Sequence, residues 1–186
     1  MSEDVGLARS QLASIPWSTL RANGSPGEQV RDHLTTMLFS EDSGAIWEAY
    51  GRIENSVTAQ GDLSPCAPYV VSVIMAAAAE RQPGDRHLGT VFDLLGLTLA
   101  GVTARWEVEI GTRGLRAACY REAAKGYWAL RRLAAATPDP EGVVEMARIM
   151  VDMIDHEEAE PPRIAPADRE RWSPVDRRSR VDELHR

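Results

Sequence analysis

The chain has 186 residues, 44% hydrophobic and 26% charged, the balance of a soluble globular protein long enough for one self-sufficient core. Its net charge of −7 argues against nucleic acid or an anionic membrane as the main partner. Met1–Leu12 lacks the basic and apolar regions of a signal peptide. The most apolar runs, Val70–Ala79 and Leu94–Ala100, are too short to span a bilayer, so no membrane partner and a cytoplasmic location are expected.

Residues 1–27 carry Pro16, Gly24, Pro26 and Gly27 with little periodicity. They predict an irregular N-terminal segment, with Leu12, Ile15, Trp17 and Leu20 in a short turn laid on the first helix. From there the apolar spacing is helical. Val30, Leu34, Met37 and Leu38 share one face, which Ser40–Gly44 ends. Ile46, Tyr50, Ile53 and Val57 form the next face, with Trp47 beside it and Gly61-Asp62 as its stop. Ser64 as N-cap and Pro65 as first helical residue open a third helix through Tyr69, Val70, Val73, Ile74 and Ala77. Gln82-Pro83-Gly84 stops it, and Asp85 caps a fourth along Leu88, Val91, Phe92, Leu95 and Leu99, closed by Gly101.

Trp106–Ile110 reads equally as a helical turn or an extended link. A fifth helix runs through Leu115, Ala118, Cys119, Ala123, Tyr127, Leu130 and Leu133. Pro138 and Pro140 mark a stop and a restart, and Val143, Met146, Ala147, Met150 and Ile154 mark a sixth helix. No segment alternates as a sheet strand does. Past His156 the chain turns Pro-rich and charged, with Ile164, Trp172, Val175, Val181 and Leu184 as its sizeable apolar residues. That predicts a helical domain over 1–156 and an extended or disordered tail over 157–186.

The six helices pair as 28–57, 65–101 and 113–155, a period of about 40 residues, in the range of HEAT and armadillo repeats. The fold expected is all-α, a HEAT/armadillo-like stack of about three helical hairpins. A six-helix bundle fits the same pattern.

The stretch Ile46–Ile74 carries Ile46-Trp47, Ile53-Glu54-Asn55, Gln60-Gly61 and Ala67-Pro68-Tyr69-Val70-Val71. It resembles a group of actinobacterial HEAT-repeat-like proteins, as does the Pro16-Trp17 pair ahead of the first helix. The resemblance covers about the first 100 residues, implies a repeat scaffold, and carries no catalytic residue over. Members of that group often have a His before the Gln-Gly, where this chain has Ala59.

Catalytic chemistry finds little purchase. There is no G-x-S-x-G, no P-loop, no G-x-G-x-x-G and no HExxH. Cys66 and Cys119 fit no zinc or dithiol spacing and read as reduced, buried thiols. Asp152 and His156 are i, i+4 at the end of the sixth helix, but the pattern offers no second cluster to complete a coordination shell. No catalytic residue, metal or cofactor is expected.

Charge falls in bands: acidic over 41–80, basic over 105–132 and acidic again over 139–160. An acidic band suits a basic protein partner and would set encounter rate and partner choice. Glu48, Arg52, Glu54, Asn55, Gln60, Asp62 and Trp106 are the candidate partner-binding residues, either as a polar ledge or, for Glu54 and Asn55, as ties to the Gln60-Gly61 turn. Trp47 and Trp128 flank apolar stripes and read as core or core-edge. The function expected is non-enzymatic protein binding, of an acidic immunity or antitoxin type. The alternative is nucleic-acid binding or processing by the basic 105–132 region.

Overall fold

The computed structural model describes residues 6–137 and 142–157. Among them are nine α-helices: α1 (Leu7–Ser14), α2 (Gly27–Phe39), α3 (Ser43–Val57), α4 (Ala67–Glu80), α5 (Leu88–Ala100), α6 (Arg105–Glu109), α7 (Leu115–Lys125), α8 (Tyr127–Ala134) and α9 (Val143–Asp155). Two two-residue strands, β1 (Asp62–Leu63) and β2 (Val102–Thr103), form a parallel pair. The architecture is all-α apart from that pair. The expected tail over 157–186, with Trp172, lies outside the described residues except for Glu157.

Helix α4 is the axis of the core. Its sequence, APYVVSVIMAAAAE, has no charge before Glu80, and Val70, Val71, Val73, Ile74, Ala77 and Ala78 are all buried. A helix apolar on every side has to be covered on every side. Accordingly α1, α5, α7 and α8 pack around it. Burying each Val or Ile contributes about 1.5–3 kcal/mol relative to leaving it in water. Elsewhere α2 packs on α3 and α8 on α9, while α5 touches α3, α7 and α9. In a one-dimensional stack each hairpin touches only its neighbours in sequence; here α4 meets α1 as well.

Four local expectations change. The N-terminal segment is not irregular throughout: Leu7–Ser14 is helical and lies on α4 through Ala8 and Leu12. Its first turn is closed from outside, since Ala8 N donates to Glu80 Oε1 at 2.5 Å. Helix α4 begins after Ser64-Pro65, not at Pro65. The Ser64 hydroxyl caps nothing, and its carbonyl receives Ala67 N at 3.0 Å. The fifth helix breaks at Gly126 into α7 and α8, where a Cβ would come within 2.7 Å of Met75 Cε on α4. Lastly, the strand pair exists without an alternating pattern. Two residues a side are too few to show one, and Gly101 lets the strands close up because a Cβ there would stand 2.6 Å from Leu63 Cδ2.

The C-termini of α2, α4, α5 and α8 share one device. The last turns of α2, α4 and α5 contain no basic residue, yet their end carbonyls are met by side chains from elsewhere. Arg81 Nη2 donates to Leu38 O at 2.6 Å, and His87 Nδ1 to Met37 O at 3.0 Å, at the end of α2. Arg132 Nη2 donates to Ala78 O, Ala79 O and Arg81 O at 3.2, 3.3 and 2.7 Å at the end of α4. Arg116 Nη1 reaches Ala100 O and Gly101 O at 3.5 and 3.4 Å after α5, and Arg148 Nε reaches Ala134 O at 3.1 Å after α8. Each guanidinium supplies donors and positive charge where orphan carbonyls and the helix dipole call for both. The basic band over 105–132 is therefore partly spent inside the fold. Arg105 and Lys125 pair with Glu109 and Glu122 on their own helices, while Arg113 and Arg121 stay exposed.

Candidate functional site

The β1–β2 pair decides what meets at one end of the molecule. Asp62 sits opposite Val102 and Leu63 opposite Thr103, and Ala104 N continues the ladder to Leu63 O at 3.3 Å. The 3-10 turn Ala59–Gly61 before β1 and helix α6 after β2 are thereby set side by side. That turn reverses the chain through Gln60, whose φ of 54° and ψ of 28° are left-handed, a conformation uncommon for a residue with a Cβ.

A third segment closes against them. Residues 20–26 fold into a tight loop in which Arg21 and Pro26 form an antiparallel bridge. Asn23 N donates to Ser56 O at the end of α3, at 2.7 Å, and Ser56 Oγ lies 3.3 Å from Ser25 Oγ. Arg21 Nη2 bonds Glu107 Oε2 at 3.0 Å. Glu107 is 3% exposed, whereas the Arg21 side chain stays mostly in solvent. The buried carboxylate thus has its counter-ion supplied from the loop, the arrangement a buried charge needs.

Between loop 20–26 and α6 lies a groove of about 610 Å³, lined by Arg21, Asn23, Trp106 and Glu107 among others. Trp106, 45% exposed, stands in its wall, and Ile110, just past the end of α6, is 60% exposed. Asn23 Nδ2 is buried with no hydrogen-bond partner among the described residues, a donor left over in the groove wall.

The sequence candidates separate into two groups. Gln60, Asp62 and Trp106 come to this end, with Gln60 exposed on the turn and Asp62 buried in β1. Trp106 belongs to a helix, which settles the choice between helical turn and link. Glu48, Arg52 and Asn55 instead lie on the outward face of α3. Glu48 and Arg52 approach to 3.8 Å, and Asn55 Nδ2 donates to Gly51 O at 2.7 Å, so Asn55 does not tie down the Gln60-Gly61 turn. Glu54 is half-buried, and its carbonyl receives Thr58 N at 2.9 Å. Arg21, Asn23 and Glu107 were not legible as site residues. Their segments lack periodicity, and the signals present were a turn-forming Asn-Gly-Ser-Pro and a lone charge beside Trp106 and Val108.

Two expectations about tryptophan are overturned. Trp47 is 61% exposed and Trp128 80% exposed, so neither belongs to the core. One residue beyond an apolar stripe is 100° round the helix, enough to leave the buried face. Among the described residues Trp17 is the buried tryptophan, its Nε1 donating to Leu12 O at 2.8 Å.

The reactive groups are muted. Burial pushes the Cys66 thiol up to about 12, and burial aided by Glu122 does the same to Cys119, so neither is a thiolate near neutrality. His156 Nδ1 lies 3.2 Å from Asp152 Oδ1 at the exposed end of α9. Among the described residues no three His, Cys, Asp or Glu side chains converge on one point. A second groove, about 420 Å³, runs between α8 and α9 beside Arg131, Arg148, Asp152 and Asp155. At its rim Tyr127 OH donates to Asp155 Oδ2 at 2.9 Å, a bond that raises the phenol's pKa. Among the described residues no helix is long and apolar enough to cross a membrane.

No family model, curated protein or solved structure matches this chain. The functional reading rests on the geometry of the groove and its rim.

Proposed function

We propose that this chain is a non-enzymatic protein-binding module that receives another protein at the groove between loop 20–26 and α6. The observation that carries the reading is the exposed Trp106 on a five-residue helix, lining that groove beside the Arg21–Glu107 pair. Aromatic anchors ringed by polar groups are what the centre of a protein interface is made of. Arg21 and the spare Asn23 donor would read a main-chain carbonyl or a carboxylate of the partner.

Within this reading the partner is basic, since a net charge of −7 favours encounter with a basic surface. An immunity or antitoxin role, in which the chain blocks a cognate protein, is its most specific form. A HEAT-like relationship to the actinobacterial group stays part of the proposal. The α2–α3 and α4–α5 hairpins support it, and the contact of α1 with α4 weighs against a simple stack.

The test is co-expression with the products of neighbouring genes, scored by growth rescue and co-purification, for wild type and Trp106→Ala. Rescue by wild type that fails with the variant is expected. No protection and no stoichiometric partner would remove the immunity reading. The nucleic-acid alternative has exposed Arg113 and Arg121 in its favour, but Arg116 and Arg132 are engaged by helix ends. A mobility shift absent even at low salt would close it.

A further inference from the structure

The outward face of α3 is a separate surface, used neither by the core nor by the groove. It presents Gly44, Trp47, Glu48, Gly51, Arg52 and Asn55. Trp47 is not a loose side chain. Its ring meets Tyr50 edge-on, centroids 5.5 Å apart at 79°, and the Tyr50 hydroxyl is hydrogen-bonded to Asp93 on α5. The indole is therefore a knob held in place before any partner arrives, which lowers the ordering cost of binding. One turn along, Gly51 carries no side chain, and a Cβ built there would stand in open space with nothing within 4 Å, so the helix backbone is approachable there. Beside them Glu48 and Arg52 form a long 3.8 Å pair with both side chains well exposed, a contact weak enough to be exchanged.

We propose that this face docks a second copy of the same chain, two α3 helices crossing antiparallel about a two-fold axis near Ala49–Tyr50. In that arrangement Trp47 of each copy faces Gly51 of the other, Glu48 faces Arg52, and Gly44 faces Asn55. All three pairings share one axis, and the symmetry repeats each of them, as an isologous interface requires. A face with an exposed indole, a bare glycine, an acid and a base at self-matching positions fits its own copy better than it fits a uniformly charged protein. The contact of two 15-residue helices falls below the size of a standard stable interface, so the dimer is a weak one that dissociates on dilution.

Sedimentation velocity or light scattering of the full chain over a wide concentration range tests this. The mass is expected to rise from that of the 20.5 kDa chain toward twice that value. Trp47→Ala weakens association about tenfold or more. Gly51→Leu puts a side chain where Trp47 of the other copy would approach the backbone, and keeps the chain monomeric. Glu48→Arg and Arg52→Glu each weaken self-association, and mixing the two variants restores it, because each then finds its opposite charge across the axis. That recovery separates contact between chains from the pair within one helix. Circular dichroism checks that these exposed changes leave the fold intact, and Trp106→Ala leaves the mass unchanged. A single-chain mass at every concentration, a dimer indifferent to Trp47→Ala, or a mixture that associates no better than its parts would each overturn the proposal.

Discussion

Helices α4 and α6 leave the same two-stranded ladder, one after each strand, and end in opposite situations. After β1 the chain turns through Ser64-Pro65-Cys66 and enters a 14-residue helix with helices packed around it. After β2 it enters a five-residue helix that keeps Glu107 inside and leaves Trp106 at the surface. The difference follows from residue type. Val, Ile and Ala along α4 have no use for water, whereas exposed Arg105 and Glu109 let α6 bury only the side that carries Glu107. Large apolar side chains are therefore buried in the first helix and left at the surface in the second.

Substitution can break that contrast, and the largest effect belongs to α4. Ile74→Ala should cost about 2–5 kcal/mol in denaturant unfolding, because the cavity lies where neighbours on several sides cannot all collapse into it. An effect near that of a surface change would mean α4 is not the axis of the core. Next comes its external cap. Arg132→Ala leaves Ala78, Ala79 and Arg81 carbonyls without their guanidinium and should cost about 1–2 kcal/mol, with Arg132→Lys recovering part of it. Paired chemical melts of the two variants measure this.

A smaller effect depends on pH. Burial, then the nearby Arg81, holds the His87 pKa below its ordinary 6.5, against the pull of the Met37 carbonyl. The unfolded chain then binds this proton more readily than the folded one. The contribution of His87 is full above pH 6.5 and is lost as pH falls through 6.5 toward the folded value. His87→Gln should flatten that part of the stability–pH curve, and an unchanged slope between pH 5 and 7 would remove His87 as its source. The smallest change in stability is expected at α6, where Trp106→Ala should shift unfolding by no more than about 0.5 kcal/mol while abolishing partner binding. Thermal denaturation beside a binding assay would show whether the two helices divide the work this way.

The same contrast explains what could be read from the residues. The stripes of α2, α3, α4, α5 and α9 were legible, because each buries a face whose spacing is helical in any arrangement. Helix α1 was not. Its first turn is closed by Glu80, a residue distant in sequence, and no local pattern announces such a cap. The break at Gly126 was hidden as well, since Tyr127, Leu130 and Leu133 continue the spacing of Leu115–Ala123 and the cause of the break is Met75 on another helix. At the groove Trp106 stood out by type, but its companions Arg21 and Asn23 arrive from a loop whose position depends on Ser56 and Glu107. Exposure of Trp47 and Trp128 needed the angular position on the helix to be weighed above the hydrophobicity of the side chain.

The arginines at the helix ends bear on how the molecule comes apart. Each of α2, α4, α5 and α8 is sealed by a group carried on a different segment, so none can fray while the segment that seals it stays docked. Amide exchange at these termini should then track global opening rather than local fluctuation. A linear array of repeats can shed a terminal unit and keep the rest. Here the loss of Arg132 with α8 would uncover the end of α4, and unfolding should spread from any one of these seals to the whole core.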